Sequence, residues 1–409
     1  MQNLMTFIKS IEIKNYTYNL PDEKIAKYPL KLRDESKLLI YRNGEISQHQ
    51  FKNIIEFLPE NGLLIFNNTK VIQARIHFQK ITGACIEIFC LEPHFPTEFE
   101  MIFATKNKCR WKCLVGNLKK WKSGNLIKEI IINDLKVTIS ASRIEEVDNN
   151  QIIEFEWNNN VSFAEILDVI GEIPIPPYLN RESEESDLVT YQTIYSKIKG
   201  SVAAPTAGLH FTENILNTLY AKNISKAEIT LHVGAGTFKP VKTSEIGEHE
   251  MHTEHFFIDA EVLEQILQNQ GNITAVGTTT VRTLESIYWL GVKLLFNRNS
   301  EFENNITQWE VYELQQDIKT EHSIKAILDY MKNNNLKIIS ASTQIIIAQG
   351  YKFRMIERLI TNFHQPQSTL LLLVSAFIGD DWKKVYEFAL KNDFRFLSYG
   401  DSSLLFKNQ

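Results

Sequence analysis

The stretch ITAVGTTTVRTLESIYW, residues 273–289, passes from a β-branched apolar run through Gly277 into a segment whose apolar residues Val281, Leu284 and Tyr288 share one helical face. Strand, tight turn and helix in that order are the building unit of an α/β fold. The turn also sets the unpaired first N–H groups of the helix beside Thr278, Thr279 and Arg282, where an anion is favoured. IISAS (338–342) and TNFHQPQST (361–369) read the same way, with weaker marking.

Upstream, KLLIY (37–41) and GLLIF (62–66) are short apolar runs between turn residues, as expected of buried strands. After the second comes NNTKVIQAR (67–75). Amides and a hydroxyl at a strand end make a ligand-facing edge, and Arg75 can pair with a carboxylate or phosphate. Over residues 71–156 the texture changes. ACIEIFCL (84–91), LKVTIS (135–140) and QIIEFEW (151–157) alternate with period two between short turns, the pattern of a small β-barrel or sandwich. From Ile102 to Lys136, nine Lys or Arg stand against two acids, with Trp111 and Trp121 among them. Either these basic and aromatic side chains meet phosphates and unpaired bases, or the lysines guard the edges of a solvated sheet.

SFAEILDVIG (162–171) carries the marks of an amphipathic helix: Ser162 as cap, Glu165 three residues later, and a glycine stop. Asp22 stands where it can cap a short helix after Pro21. RESEESDLVTYQTIYS (181–196) is polar enough to be a mobile loop or a lid. The apolar run in STLLLLVSAF (368–377) falls well short of the roughly 20 residues that cross a bilayer, so it reads as a buried strand or helix. MQNLMTFIKS at the start lacks the long apolar centre of a secretory signal.

A chain of 409 residues can bury a large core and favours two or three domains. Its 44% hydrophobic and 23% charged content is that of a soluble globular protein. A net charge of -5 excludes a generally basic nucleic-acid binder and leaves RNA contact to a local patch. The four cysteines, Cys85, Cys90, Cys109 and Cys113, suit a reducing cytosol.

Chemistry concentrates in SVAAPTAGLHFT (201–212) and TLHVGAGTFKPV (230–241), where small residues and hydroxyls replace the large apolar side chains of ordinary core. Backbone of that kind can lie close to a ligand. Each tract carries one histidine, His210 and His232, able to move protons near neutral pH. GAGTFK has Lys239 where a dinucleotide fingerprint needs its third glycine, and neither a phosphate loop nor a Gly-x-Ser-x-Gly turn occurs. His249, His252 and His255 miss zincin spacing, because Thr253 stands four residues after His249. No metal is expected.

Read together with GEIPIPPY (171–178), HEMHTEHF (249–256), VGTTTVRTLES (276–286), LITNFH (359–364), STLLLLVSAF and SYGD (398–401), these tracts closely resemble the motifs of the S-adenosylmethionine:tRNA ribosyltransferase-isomerase family, in the same order. The resemblance spans about Tyr18 to Phe406. It implies an α/β fold in which a mixed α/β main domain, residues 12–70 and 157–409, is interrupted by a small all-β barrel domain, residues 71–156, that contacts tRNA. It implies a queuosine-pathway activity as well. The ribosyl moiety of S-adenosylmethionine, a consumed substrate, moves to the aminomethyl group of 7-aminomethyl-7-deazaguanine in a tRNA anticodon loop, giving epoxyqueuosine with release of adenine and methionine. No further cofactor and no membrane is implied, and a cytoplasmic monomer is expected.

The sulfonium of that substrate acidifies the adjoining 5′ C–H, so a base can start the rearrangement. The family motifs make His210 or His232 the candidate base, with His252, Glu254 and His364 protonating adenine or orienting the sugar. Thr206, Gly234, Gly236, Thr237, Thr279 and Arg282 are the expected contacts to S-adenosylmethionine, with Asn67, Asn68, Thr69, Arg75 and Asp401 in second rank. The chain departs from the family pattern at Thr280, Gln349, Gln365 and Gln367, the last replacing a lysine that would contact a phosphate or carboxylate. Two other readings compete. A tRNA methyltransferase using S-adenosylmethionine is disfavoured because no strand with a glycine-rich turn opens the chain, and a non-catalytic RNA-binding protein would use the basic segment alone.

Overall fold

Leu38 to Tyr41 are all buried and form the heart of β1 (Lys37–Arg42), which hairpins into β2 (Glu45–Gln50). The computed structural model describes residues 2–148, 150–238, 240–296 and 303–408. In β3 (Leu63–Asn67) every residue is buried, and β4 (Thr69–Val71) carries the chain out of this layer. It then builds β5 (Arg75–Gln79), β6 (Cys85–Phe95), β7 (Lys108–Val115), β8 (Leu126–Ile132), β9 (Leu135–Val147), β10 (Asn150–Trp157) and β11 (Gly171–Glu172). The return runs through β12 (Ile198–Ser201), parallel to β4, into β13 (Ser225–Leu231), β14 (Glu254–Asp259), β15 (Ile273–Val276), β16 (Asn305–Ile306), β17 (Ile338–Thr343), β18 (Arg358–Asn362) and β19 (Ser402–Phe406).

Ten of these strands make one mixed sheet in the order β16-β17-β14-β13-β3-β15-β18-β19-β1-β2. At its centre β3 pairs in parallel with β13 and β15, and β15 in parallel with β18. Strands covered on both faces are apolar throughout, which is why GLLIF is legible as a strand. After β15, Gly277 turns the chain at φ +93° into the helix Thr278–Phe296. That helix differs from expectation. Residues 278–293 are buried on every side, because β3, β13, β15 and the helix Thr320–Asn333 enclose it. STLLLLVSAF proves to be the helix Thr369–Ile378, with the Ser368 hydroxyl accepting from the Leu371 amide.

β4 and β12 pair as a separate two-stranded sheet, and the remaining seven strands form an antiparallel sheet in the order β11-β5-β6-β7-β10-β9-β8. It curls, and Lys128 Nζ of β8 reaches the His77 carbonyl of β5 at 3.0 Å, but among the described residues no ladder joins its two ends. Its apolar face carries a separate core that includes Trp111, Trp121, Phe155 and Phe163. The helix Phe163–Ile170 covers it, held by the anticipated capping box: Glu165 Oε2 accepts from the Ser162 amide at 2.8 Å and Ser162 Oγ accepts from the Glu165 amide at 3.3 Å.

Trp111 and Trp121 are fully buried here, so they cannot stack on unpaired bases. Much of the basic segment is neutralised across the strands. Lys108 and Arg110 both hold Glu154, at 2.9 and 2.7 Å, Lys112 holds Asp148, and Lys136 holds Glu129. The solvated-face reading therefore describes these residues, while Lys106, Lys119, Lys120 and Lys122 stay exposed. Asp22 is not a cap: Pro21 takes that position before the short turn Asp22–Lys24. Residues 181–196 are tied down by Asp187, which accepts from both Arg181 nitrogens at 2.7 Å and from Tyr399 Oη at 2.9 Å. Among the described residues no helix is long and apolar enough to cross a membrane.

Gly291 marks the closest approach of Thr278–Phe296 to Thr320–Asn333, since a Cβ there would lie 2.2 Å from the Ser323 carbonyl oxygen and hydroxyl. Alanine at an open helical site stabilises by about 1 kcal/mol. Overpacking at this contact costs about 1–3 kcal/mol, so Gly291→Ala should lower the calorimetric Tm. A raised Tm would show that the helices do not pack this tightly.

Candidate active site

The parallel strands β13, β15 and β18 end at the same edge of the large sheet, where open α/β sheets bind ligands, and the segment after β12 joins them there. A cleft opens there. Ala203 to Ala207 follow β12, Val233 follows β13, Gly277, Thr278 and Thr279 follow β15, and Thr361, Asn362, His364 and Gln365 come from the end of β18. Tyr178, Tyr191, Ser368, Leu370, Leu397 and Ser398 complete the wall. Of the expected contacts, Thr206, Thr279 and His364 line the cleft.

His364 Nε2 lies 2.9 Å from Thr361 Oγ1, its amide donates to Tyr386 Oη at 3.0 Å, and its carbonyl accepts from Tyr18 Oη. Burial pushes its imidazole down to about 3, so it is neutral at pH 7. Thr206 Oγ1 donates to Asn362 Oδ1 at 3.0 Å. Asn362 Nδ2 in turn faces His210 Nε2 at 3.2 Å, and His210 Nδ1 faces Ser36 Oγ at 2.8 Å.

His210 and His232 do not share this cleft, contrary to expectation. His210 sits behind Asn362 against the Phe51 ring at 5.0 Å, with both ring nitrogens engaged. His232 sits where the two sheets meet, 4.3 Å from the Phe99 ring, with Nδ1 3.1 Å from Thr69 Oγ1. Gly200 allows that placement, because a Cβ on it would come within 2.5 Å of the His232 ring. Burial pushes His210 down to about 4 and His232 to about 3. Each is a packed, neutral strut.

The second-rank residues are also structural. Asn67 uses its amide group on the Leu231 amide, the Leu231 carbonyl and the Thr69 amide, at 3.0 to 3.1 Å. Asn68 binds Glu228 and Thr230. Arg75 lies over the Phe89 ring, 5.1 Å from its centroid, with Glu87 at 3.6 Å. Asp401 accepts from the amides of Lys37 and Arg395 at 3.0 and 2.8 Å and from the Arg395 guanidinium. None of the five lines the cleft.

Beside the cleft stands a charge relay. Glu254, only 1% exposed, bonds His252 Nε2 through Oε1 at 3.0 Å and Arg282 Nη1 through Oε2 at 2.6 Å. Burial alone would raise its pKa, but the charges of Arg282 and His252 and a bond from the Gly234 backbone leave it lowered. His252 is partly exposed and packs on the glycine tract: a Cβ at Gly236 would meet its Nδ1 at 2.2 Å. Arg282 lies one turn beyond Thr278 and Thr279 on the same helix, so relay and cleft share a wall. Thr237 follows in the turn Ala235–Phe238, and its side chain lies outside the described residues.

Sequence reasoning missed Tyr178, Tyr191, Asn362 and Ser398 as lining residues. All four stand in quoted stretches, at the end of GEIPIPPY, within RESEESDLVTYQTIYS, before the histidine of LITNFH and at the start of SYGD. A polar or aromatic group beside a strand end was the available signal.

A family model described as Queuosine biosynthesis protein matches residues 13–405. A protein of Trichlorobacter lovleyi named S-adenosylmethionine:tRNA ribosyltransferase-isomerase is 36% identical over 402 residues, covering 96% of this chain and 99% of its own length. A Rickettsia bellii protein of the same name is 37% identical over 403 residues, with 97% and 99% covered. The solved structure of S-adenosylmethionine tRNA ribosyltransferase from Thermotoga maritima is similar at 26% identity and a TM-score of 0.44, with 95% of this chain and 99% of that chain covered.

The lowered histidines have a consequence for acid stability. Below about pH 6.5 the unfolded chain protonates at histidines that the folded chain keeps neutral, so stability falls as pH drops toward 4. Each such histidine contributes up to about 1.4 kcal/mol per pH unit in that window. The His210→Gln variant should show a shallower fall of Tm between pH 6.5 and 4 than the parent, measured by scanning calorimetry. An unchanged slope would mean that the folded ring titrates normally.

Proposed function

The chain belongs to the queuosine biosynthesis protein family, and we propose that it acts as an S-adenosylmethionine:tRNA ribosyltransferase-isomerase. In this reading the ribosyl moiety of S-adenosylmethionine is joined to the aminomethyl nitrogen of 7-aminomethyl-7-deazaguanine in tRNA, and adenine and methionine depart. The observation that carries the site assignment is the buried Glu254 bridging His252 and Arg282 beside the cleft.

His252 is the base of this proposal. Glu254 accepts its Nε2–H and so leaves Nδ1 as the basic nitrogen. Arg282 keeps Glu254 ionised, which supports the imidazolium that forms when Nδ1 takes the acidified 5′ proton. That proton is then at hand for the departing adenine. His364, neutral and held by Thr361, orients the sugar through hydrogen bonds, and Thr206 approaches the nucleoside from the cleft wall, while Gly234 and Gly236 seat the His252 ring. Residues 71–156 act as an inserted domain, and exposed Lys106, Lys119, Lys120 and Lys122 meet the phosphates of the anticodon arm. The protein works as a cytoplasmic monomer.

Incubation with S-adenosylmethionine and precursor tRNA, followed by nucleoside mass spectrometry, should yield epoxyqueuosine together with free adenine. A methylated nucleoside without adenine would replace this reading with a methyltransferase. Glu254→Gln keeps the shape of the side chain but removes the charge behind His252, so kcat should fall about 10²–10⁴-fold, as should that of His252→Ala. Near-parental turnover in both variants would dismiss His252 as the base.

A further inference from the structure

Arg282 spends one nitrogen on Glu254 and leaves two without work. Its Nε and Nη2, and the Thr279 hydroxyl, are buried polar atoms with no hydrogen-bond partner among the described residues. Arg282 is 5% exposed and Thr279 is 8% exposed. Unsatisfied donors at this depth are costly and usually mark a position where a ligand supplies the missing acceptor.

Their arrangement narrows the ligand. Nε–H and Nη2–H lie on one edge of the guanidinium and point the same way, the fork that grips the two oxygens of a carboxylate. Thr279 lines the cleft one turn before Arg282. The 19-residue helix Thr278–Phe296 begins there, so its first N–H groups and positive dipole end add to the same field. Glu254 balances the single charge of Arg282, so an incoming anion is held by the free N–H donors and the helix end rather than by excess charge, which suits one carboxylate and not a dianion. A phosphate of a tRNA backbone carries bulky sugars on two sides and does not reach an arginine buried this deeply. A short amino-acid tail entering past Thr279 on the cleft wall is the slimmer fit.

We propose that Thr279 Oγ1 and the Nε and Nη2 of Arg282, at the start of the helix Thr278–Phe296, form a subsite for the α-carboxylate of the methionyl part of S-adenosylmethionine. The inference rests on S-adenosylmethionine being the substrate. It gives Arg282 two tasks: one face of the guanidinium positions the Glu254–His252 pair, and the other anchors the tail of the substrate. Methionine then remains held by its carboxylate after the sulfur–carbon bond has broken, and leaves by the same route.

The test is a comparison of two ligands by titration calorimetry on the full-length protein: S-adenosylmethionine and its decarboxylated form, which lacks only the carboxylate. The parent should bind the first about 10–100-fold more tightly, the worth of one or two charged hydrogen bonds. Thr279→Val, which keeps the shape, should cut that preference about 5–10-fold while leaving affinity for the decarboxylated form unchanged. Arg282→Gln combined with Glu254→Gln removes the fork without stranding a charge, and should erase the preference. Equal binding of both ligands by the parent would overturn the subsite and leave the proposed reaction standing. Binding of neither, with no adenine released, would overturn the reaction too. If Thr279→Val instead weakened tRNA binding and left the ligand preference intact, the site would hold an RNA phosphate and the proposal would fail.

Discussion

A carboxylate with almost no exposed surface survives in a folded protein only if its charge is answered on the spot. Glu254 is answered three ways, by Arg282, by His252 and by the backbone at Gly234. Those partners come from the helix after β15, from the loop before β14 and from the glycine tract after β13. One buried charge therefore holds together three segments that are distant in sequence. Removing Arg282 alone would leave Glu254 without its full counter-charge in the wall of the cleft, a penalty of about 3–5 kcal/mol. The arrangement of the cleft follows from that constraint.

Gly236 in the second small-residue tract and Gly200, just before the first, each make room for an imidazole. At Gly236 a side chain would strike the His252 ring, and at Gly200 it would strike His232. Both glycines admit an imidazole to a position that no other residue would permit. The outcomes differ because the surroundings differ. His232 meets Phe99, Phe257 and Thr69 and is sealed as packing between the two sheets. His252 meets a carboxylate on one side and retains some access to solvent on the other. Burial without an ion removes a histidine from proton chemistry; burial of its partner makes one useful.

The inserted sheet shows a similar division of roles among like residues. Alternation puts Trp111 inward and Lys108, Arg110 and Lys112 outward, so aromatic and basic groups that interleave in sequence are separated in space. The outward cations then find acids on neighbouring strands, Glu154 above all, and become cross-strand pairs. Interleaving in one dimension was a misleading sign of a stacking surface, because the period of a strand sorts neighbours onto opposite faces.

Local physics made much of the chain legible without coordinates. The Ser162 and Glu165 capping box, the buried strands at 37–41 and 62–66, the Gly277 turn into a helix and the period-two texture of 71–156 all depend on neighbours within a few residues. What the sequence could not settle is which histidine has a free nitrogen. His210, His232, His252 and His364 look alike in one dimension, and each state was decided by residues far along the chain: Ser36 and Asn362 for His210, Thr69 and Phe99 for His232, Tyr18 and Tyr386 for the backbone of His364, and the Glu254 to Arg282 pair for His252. Desolvation and charge pairing act through space, so only the tertiary structure could assign them.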